Sequence, residues 1–87
     1  MRIISQDGTI NLPFESCIIE RSDTKIFTTC ANVFDNSVKF LELGEYSTVE
    51  NAKEVMRIIE RSYNDYLINK IYKTLNPSDC TFKLPQD

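Results

Sequence analysis

The chain has 87 residues, 41% of them hydrophobic and 26% charged, a balance that suits one globular domain with a modest core and excludes wholesale disorder. Its 13 acidic and 10 basic residues leave a net charge of −3, which argues against a broad phosphate-binding surface and makes free nucleic acid a poor partner. No apolar run approaches the roughly 20 residues of a membrane-spanning helix.

The first half has strand rhythm broken by turn chemistry. Residues 2–5 (RIIS) lead into Asp7-Gly8, a pair suited to the positive φ angles of a tight turn, and residues 9–12 (TINL) lead out, predicting a first hairpin. Pro13 has no N–H to donate, so the second strand ends there or lies at an edge. Residues 16–21 (SCIIER) and 25–31 (KIFTTCA) flank Ser22-Asp23-Thr24 and predict a second hairpin. After a polar connection over residues 32–36, residues 37–46 (SVKFLELGEY) read as a fifth strand. Leu41 and Leu43 share one face of it. Tyr46 joins them only if Gly44 makes a bulge, the arrangement expected because it returns the ring to the core.

At Ser47 the rhythm becomes helical. Ser47 is expected to cap the first turn, with Glu50 reaching back from three residues on. Val49, Ala52, Val55, Met56, Ile59, Tyr63 and Tyr66 then fall on one stripe at spacings of three and four, the face expected to cover the sheet. Glu50 with Lys53, Glu54 with Arg57, and Arg57 with Glu60 make solvent-side pairs of about 0.2–0.5 kcal/mol each. Ile68, Ile71, Tyr72 and Leu75 form a second stripe, rotated by roughly 150° from the first. Both stripes cannot face one sheet. A helix from Thr48 to Leu75 would be about 42 Å long, whereas a compact chain of this size is about 30 Å across. Either the helix breaks near residues 62–65, where Ser62, Asn64 and Asp65 are weaker helix formers, or its end projects. Asn76-Pro77 closes the element, and residues 80–84 (CTFKL) make a short last strand or a packed tail. The fold class is therefore α+β: a bent antiparallel sheet of about five strands packed by one long C-terminal helix, continuous or broken.

The residue types exclude the commonest catalytic constellations. There is no histidine, so Cys-His and Ser-His-Asp arrangements cannot form. The Ser-x-x-Lys match at Ser22 and Lys25 spans a hairpin loop rather than a helical turn and is read as chance. Glu42 and Glu45 have no pocket signature around them. Two glycines in all leave no phosphate-cradling loop. Cys17, Cys30 and Cys80, an odd number at wide spacing with no CxxC pair, are expected to be reduced thiols of a cytosolic protein, and they are too few for a zinc site without histidine. No metal or cofactor is expected, and the protein is read as a non-enzyme.

Two constellations remain. Arg57 and Arg61, four apart on one helix face and followed by Tyr63, have the parts for a small anionic ligand; paired arginines and core-filling tyrosines are the stronger reading of the same residues. The second stripe, if exposed, is an apolar patch that a soluble monomer avoids. A bend that folds it back over the sheet would cover it, and so would a partner; the two stand level.

The opening MRIISQDGTINLPFE, followed later by LGEYSTVENAKEVMRII, resembles small uncharacterised proteins of phages and prophages of low-GC Gram-positive bacteria. These begin with MRIISQDGT-like text and an L-P-aromatic-E element, and later carry an acidic-Tyr-Ser-Thr helix start. The likeness spans roughly 35 positions and implies a small α+β fold of mobile-element origin with no catalytic residues. By analogy it also implies binding to a host or phage macromolecule, including inhibition of bacterial defence. The function expected is thus that of a cytoplasmic interaction protein in a bacterial host cell, binding a protein partner or a second copy of itself. Its surface would be Tyr63, Tyr66, Ile68, Ile71, Tyr72 and Leu75 with the edge strand near Leu12 to Phe14. The alternative is an oligomeric binder that sequesters a signalling nucleotide through Arg57, Arg61 and Tyr63.

Overall fold

The computed structural model describes residues 1–31, 38–72 and 81–87, with the side chains of Ala31, Val38, Lys39 and Tyr72 left out of that description. The polar connection over residues 32–36, Leu75, the Asn76-Pro77 stop and Cys80 lie outside it.

The first hairpin pairs β1 (Arg2–Ile4) with β2 (Asn11–Pro13) antiparallel, Ile3 opposite Leu12. Its turn is wider than a two-residue one. The Ser5 N–H donates to Ile10 O at 2.9 Å, and the Gly8 N–H donates to Ser5 O at 3.0 Å. Gly8 sits at φ 80°, where a side chain would strain the backbone. Asp7 organises the loop: its Oδ1 accepts from Ser5 Oγ at 2.7 Å, Thr9 Oγ1 at 2.7 Å and the Thr9 N–H at 3.0 Å. β2 ends at Pro13, at the edge of its sheet, as the missing donor requires.

A 3-10 turn, Phe14–Ser16, carries the chain into β3 (Cys17–Ser22), which pairs antiparallel with β4 (Lys25–Ala31), itself paired antiparallel with β5 (Val38–Glu45). The β3–β4 turn holds two residues, Asp23 and Thr24, because Ser22 pairs with Lys25; Asp23 takes φ 52°, which short polar side chains tolerate. The register between β4 and β5 slips where Ile26 pairs with Gly44 and Phe27 with Glu42, so Leu43 is the extra residue. This is the bulge expected near Gly44, and it puts both Leu43 (1% exposed) and Tyr46 (4% exposed) into the core.

The single antiparallel sheet of about five strands is corrected. Among the described residues there are two three-stranded sheets, β2-β1-β6 and β3-β4-β5. β6 (Thr81–Lys83) joins the free edge of β1 in parallel, Ile3 opposite Phe82. Pro13 ends β2 and the 3-10 turn separates it from β3, which belongs to the other sheet. Gln6 bridges them: its N–H donates to Leu43 O at 2.7 Å and its Oε1 accepts from the Glu45 N–H at 3.0 Å. The close approach needs Gly44, where an added Cβ would lie 3.1 Å from Leu84 Cδ2 and 3.3 Å from Gln6 Cβ.

The helix α1 (Val49–Tyr72) is unbroken over 24 residues, so of the two alternatives, a break at residues 62–65 or a projecting end, the break does not occur. Ser62, Asn64 and Asp65 cost the helix only tenths of a kilocalorie each (about 0.5 kcal/mol), less than its packed face supplies. At 1.5 Å per residue α1 is about 36 Å long, matching the longest extent of the molecule, 37 Å. The N-cap is also corrected. Thr48, not Ser47, caps the helix: its Oγ1 accepts from the Asn51 N–H at 3.1 Å. Ser47 Oγ instead accepts from the Asn51 side chain at 3.3 Å, which also donates to Asp87 at 3.1 Å. Of the expected ion pairs on the helix, Glu54 with Arg57 is present, Nε to Oε2 at 2.9 Å, on exposed side chains.

One core lies between the helix and both sheets. Ala52, Val55 and Ile59 from α1 meet Ile3 from β1, Ile26 from β4, Leu43 from β5, and Leu84 just after β6. The buried side chains of Ile3 and Ile26 each contribute about 1.5–3 kcal/mol.

The cysteine expectation is corrected for two of the three. Cys17 and Cys30 are opposite one another in the β3–β4 ladder, with Cα atoms 4.8 Å apart, and are joined as a disulfide.

Candidate functional site

The first stripe of α1 does what its spacing requires. Ala52, Val55, Ile59 and Tyr66 are buried and Met56 and Tyr63 half-buried. This sends two of the expected contact residues inward. Tyr66 is 7% exposed. Tyr63 packs its ring 4.6 Å from Phe14 and 5.9 Å from Tyr66, and Lys70 covers Tyr66 with its ammonium 5.9 Å from the ring. Leu12 and Phe14 are likewise half-buried against the core, so the edge near them offers backbone rather than free side chains.

The second stripe faces the other way. Ile68 is 54% exposed and Ile71 73%, and Leu67 joins them at 36%. Leu67 and Ile71 are four apart, Ile68 and Ile71 three apart, so the three make one ridge on the solvent side of a continuous helix. The fold-back alternative fails for Ile68 and Ile71, because no bend turns them over the sheet. Tyr72 ends α1 with its side chain outside the description, and Leu75 lies beyond the described residues.

Beside the helix lies a cleft of about 350 Å³ between α1, the 3-10 turn and β3. Phe14, Cys17, Met56 and Tyr63 give it an apolar and aromatic lining, with Arg57 and Glu60 at its polar side. Arg57 and Tyr63 are thus brought together. Arg61, exposed on the helix, is not part of the lining. Arg57 is already engaged by Glu54, which reduces the charge it offers an anion.

Two features escaped the sequence reading. The outer face of the β3–β4–β5 sheet exposes Ile18 (61%) and Phe40 (63%), and Phe40 stacks on Phe27 at 4.7 Å. Strict alternation along β3 and β4 marks Ile18 and Phe27 as outward once the strands are set in register. The disulfide was hidden by one residue of loop length. With a three-residue loop at Ser22-Asp23-Thr24, Cys17 falls opposite Thr29; with the two-residue loop the structure has, it falls opposite Cys30.

Among the described residues no group of three or more His, Cys, Asp or Glu side chains could hold a metal ion, and no helix is long and apolar enough to cross a membrane. No family model, curated protein or solved structure matches the chain.

Proposed function

We propose that this chain is a small, non-enzymatic interaction protein of phage or prophage type that binds a protein partner through the outer ridge of α1, and by doing so inhibits a bacterial defence or regulatory system. The observation that carries the reading is the exposure of Leu67, Ile68 and Ile71 on a helix whose opposite face is already committed to the core. Anchors three and four residues apart on one rigid helix suit insertion into an apolar groove of another protein. The phage character rests on the resemblance over residues 1–15 and 43–59.

The test uses a photo-crosslinking residue at Asn64, beside the ridge, in the intact protein within bacterial cells. Ile68→Glu and Ile71→Glu should abolish a crosslink to a specific protein while leaving the melting temperature within a degree or two, since both side chains are solvent-exposed in the free chain. A crosslink that survives both substitutions would sink the proposed surface. A crosslink to the chain itself, with light scattering showing a dimer, would identify the partner as a second copy.

A second reading has its own support. The aromatic cleft with Arg57 at its mouth has the size of a small-molecule site, and a binder that sequesters a signalling nucleotide would use it, stacking the base on Tyr63 and Phe14.

A further inference from the structure

Cys17 is the first residue of β3, at the end of the β3–β4 hairpin remote from its turn, where a ladder frays first. The disulfide to Cys30 closes that open end. Both cysteines are half-buried on the face of the sheet that holds Ile26, which lies further along β4 and is fully buried. Cys17 lines the cleft with Met56 and Tyr63, and so has an approach from solvent. Each sulfur also has a partner at hand for its thiol form: Cys17 Sγ lies 3.2 Å from Pro13 O, and Cys30 Sγ lies 3.9 Å from Thr28 Oγ1. Opening the bond therefore strands no polar group.

We propose that Cys17–Cys30 is a thiol–disulfide exchange site, and that its redox state sets whether Phe14 stays packed on Tyr63 at the wall of the cleft between β3 and α1. The reductant is a dithiol. One of its thiolates attacks Cys17 Sγ through the cleft; a mixed disulfide forms, the Cys17–Cys30 bond breaks, and Cys30 leaves as a thiolate that takes a proton from solvent. The second thiol of the reductant then displaces Cys17, which leaves as a thiolate and is protonated in turn. The reductant ends as a disulfide, having passed two electrons to the cysteines and two protons to solvent, which returns them to the two thiolates. With the bond closed, the segment from Phe14 to Cys17 is tied to β4 and Phe14 stays on Tyr63. With it open, that end is held by backbone hydrogen bonds and by the Met1 ammonium on Glu15 at 2.8 Å, with no covalent tie to β4, and the Phe14 ring is free to part from Tyr63.

This inference is independent of the protein partner. It is tested on the full chain by alkylation with peptide mapping, and by hydrogen exchange, before and after millimolar dithiothreitol. Alkylation before reduction should spare Cys17 and Cys30; afterwards both should be labelled while the circular dichroism of the fold persists. Exchange at Phe14 and Ile18 should then rise at least about tenfold, with that of Ile59 unchanged. Labelling of both cysteines before reduction would overturn the proposal. So would resistance of the bond to dithiothreitol under native conditions, or reduction that leaves exchange at Phe14 and Ile18 as it was. The variant carrying both Cys17→Ser and Cys30→Ser should reproduce the reduced state permanently. Should it fail to fold, the two states of the unaltered chain still decide the matter.

Discussion

Asp7 is the hub of hydrogen bonding in the first hairpin loop. Three donors from Ser5 and Thr9 converge on one carboxylate oxygen. The Ser5 hydroxyl, then the Thr9 backbone and hydroxyl, hold its pKa at about 2, below the ordinary 3.8. A carboxylate depressed in the folded state contributes stability that is fully present above its unfolded value, near 3.8, and lost as the pH falls through about 2. In Asp7→Asn that dependence should vanish: urea midpoints between pH 4 and pH 2 should fall less steeply than those of the unaltered chain, although the variant starts lower at neutral pH. Equal slopes would mean that the loop does not hold its carboxylate in this way. Tyr46 shows the opposite sign. Burial, with the Asp87 carboxylate adding to it, pushes its phenol up to about 12, while its hydroxyl donates to Pro85 O at 2.9 Å.

At the scale of elements, the start of α1 separates two adjacent hydroxyls that look alike in the sequence. Thr48 satisfies a first-turn amide, whereas Ser47 bonds only exposed groups outside the helix backbone, the Asn51 side chain and the Asp87 carboxylate. Thr48→Ala should therefore cost about 1 kcal/mol and Ser47→Ala a few tenths at most, measured by denaturant unfolding; equal losses would restore Ser47 to the cap. The same helix shows what sequence pattern conveys. Ala52, Val55 and Ile59 announced a buried face because a 3.6-residue repeat is a local property, and Leu43 and Tyr46 announced a bulge because Gly44 stands between them. The continuity of the helix past Ser62 was not legible, since propensity differences of tenths of a kilocalorie (about 0.5 kcal/mol) do not outweigh packing. Neither was the bridging by Gln6 between the two sheets, which depends on where two backbones meet rather than on what Gln6 is. The cleft was half legible: Arg57 and Tyr63 were singled out together on α1, but Phe14 and Cys17 reach it from a distant stretch, the 3-10 turn and the start of β3.

For the whole molecule, the two exposed features differ in what can occupy them. The ridge of α1 is convex and suits a macromolecule, while the cleft is concave and suits a small one. The nucleotide-sequestering reading accordingly makes a distinct prediction. A panel of nucleotides should include one that raises the melting temperature, as binding to the native state alone must, and Arg57→Ala should remove that rise. If no nucleotide moves the transition, the cleft is left without that role and the ridge alone carries the function. The pairing of β1 with β6 bears on a different moment in the life of the chain. One edge of β1 has no strand to meet until residues 81–84, distant from it in the chain, have been made, whereas β3 and β4 are joined by a two-residue turn and can pair as they emerge. Until β6 docks, β1 carries an unmated edge beside an unfilled place for Leu84, and that docking is the step that ends their exposure to wrong partners.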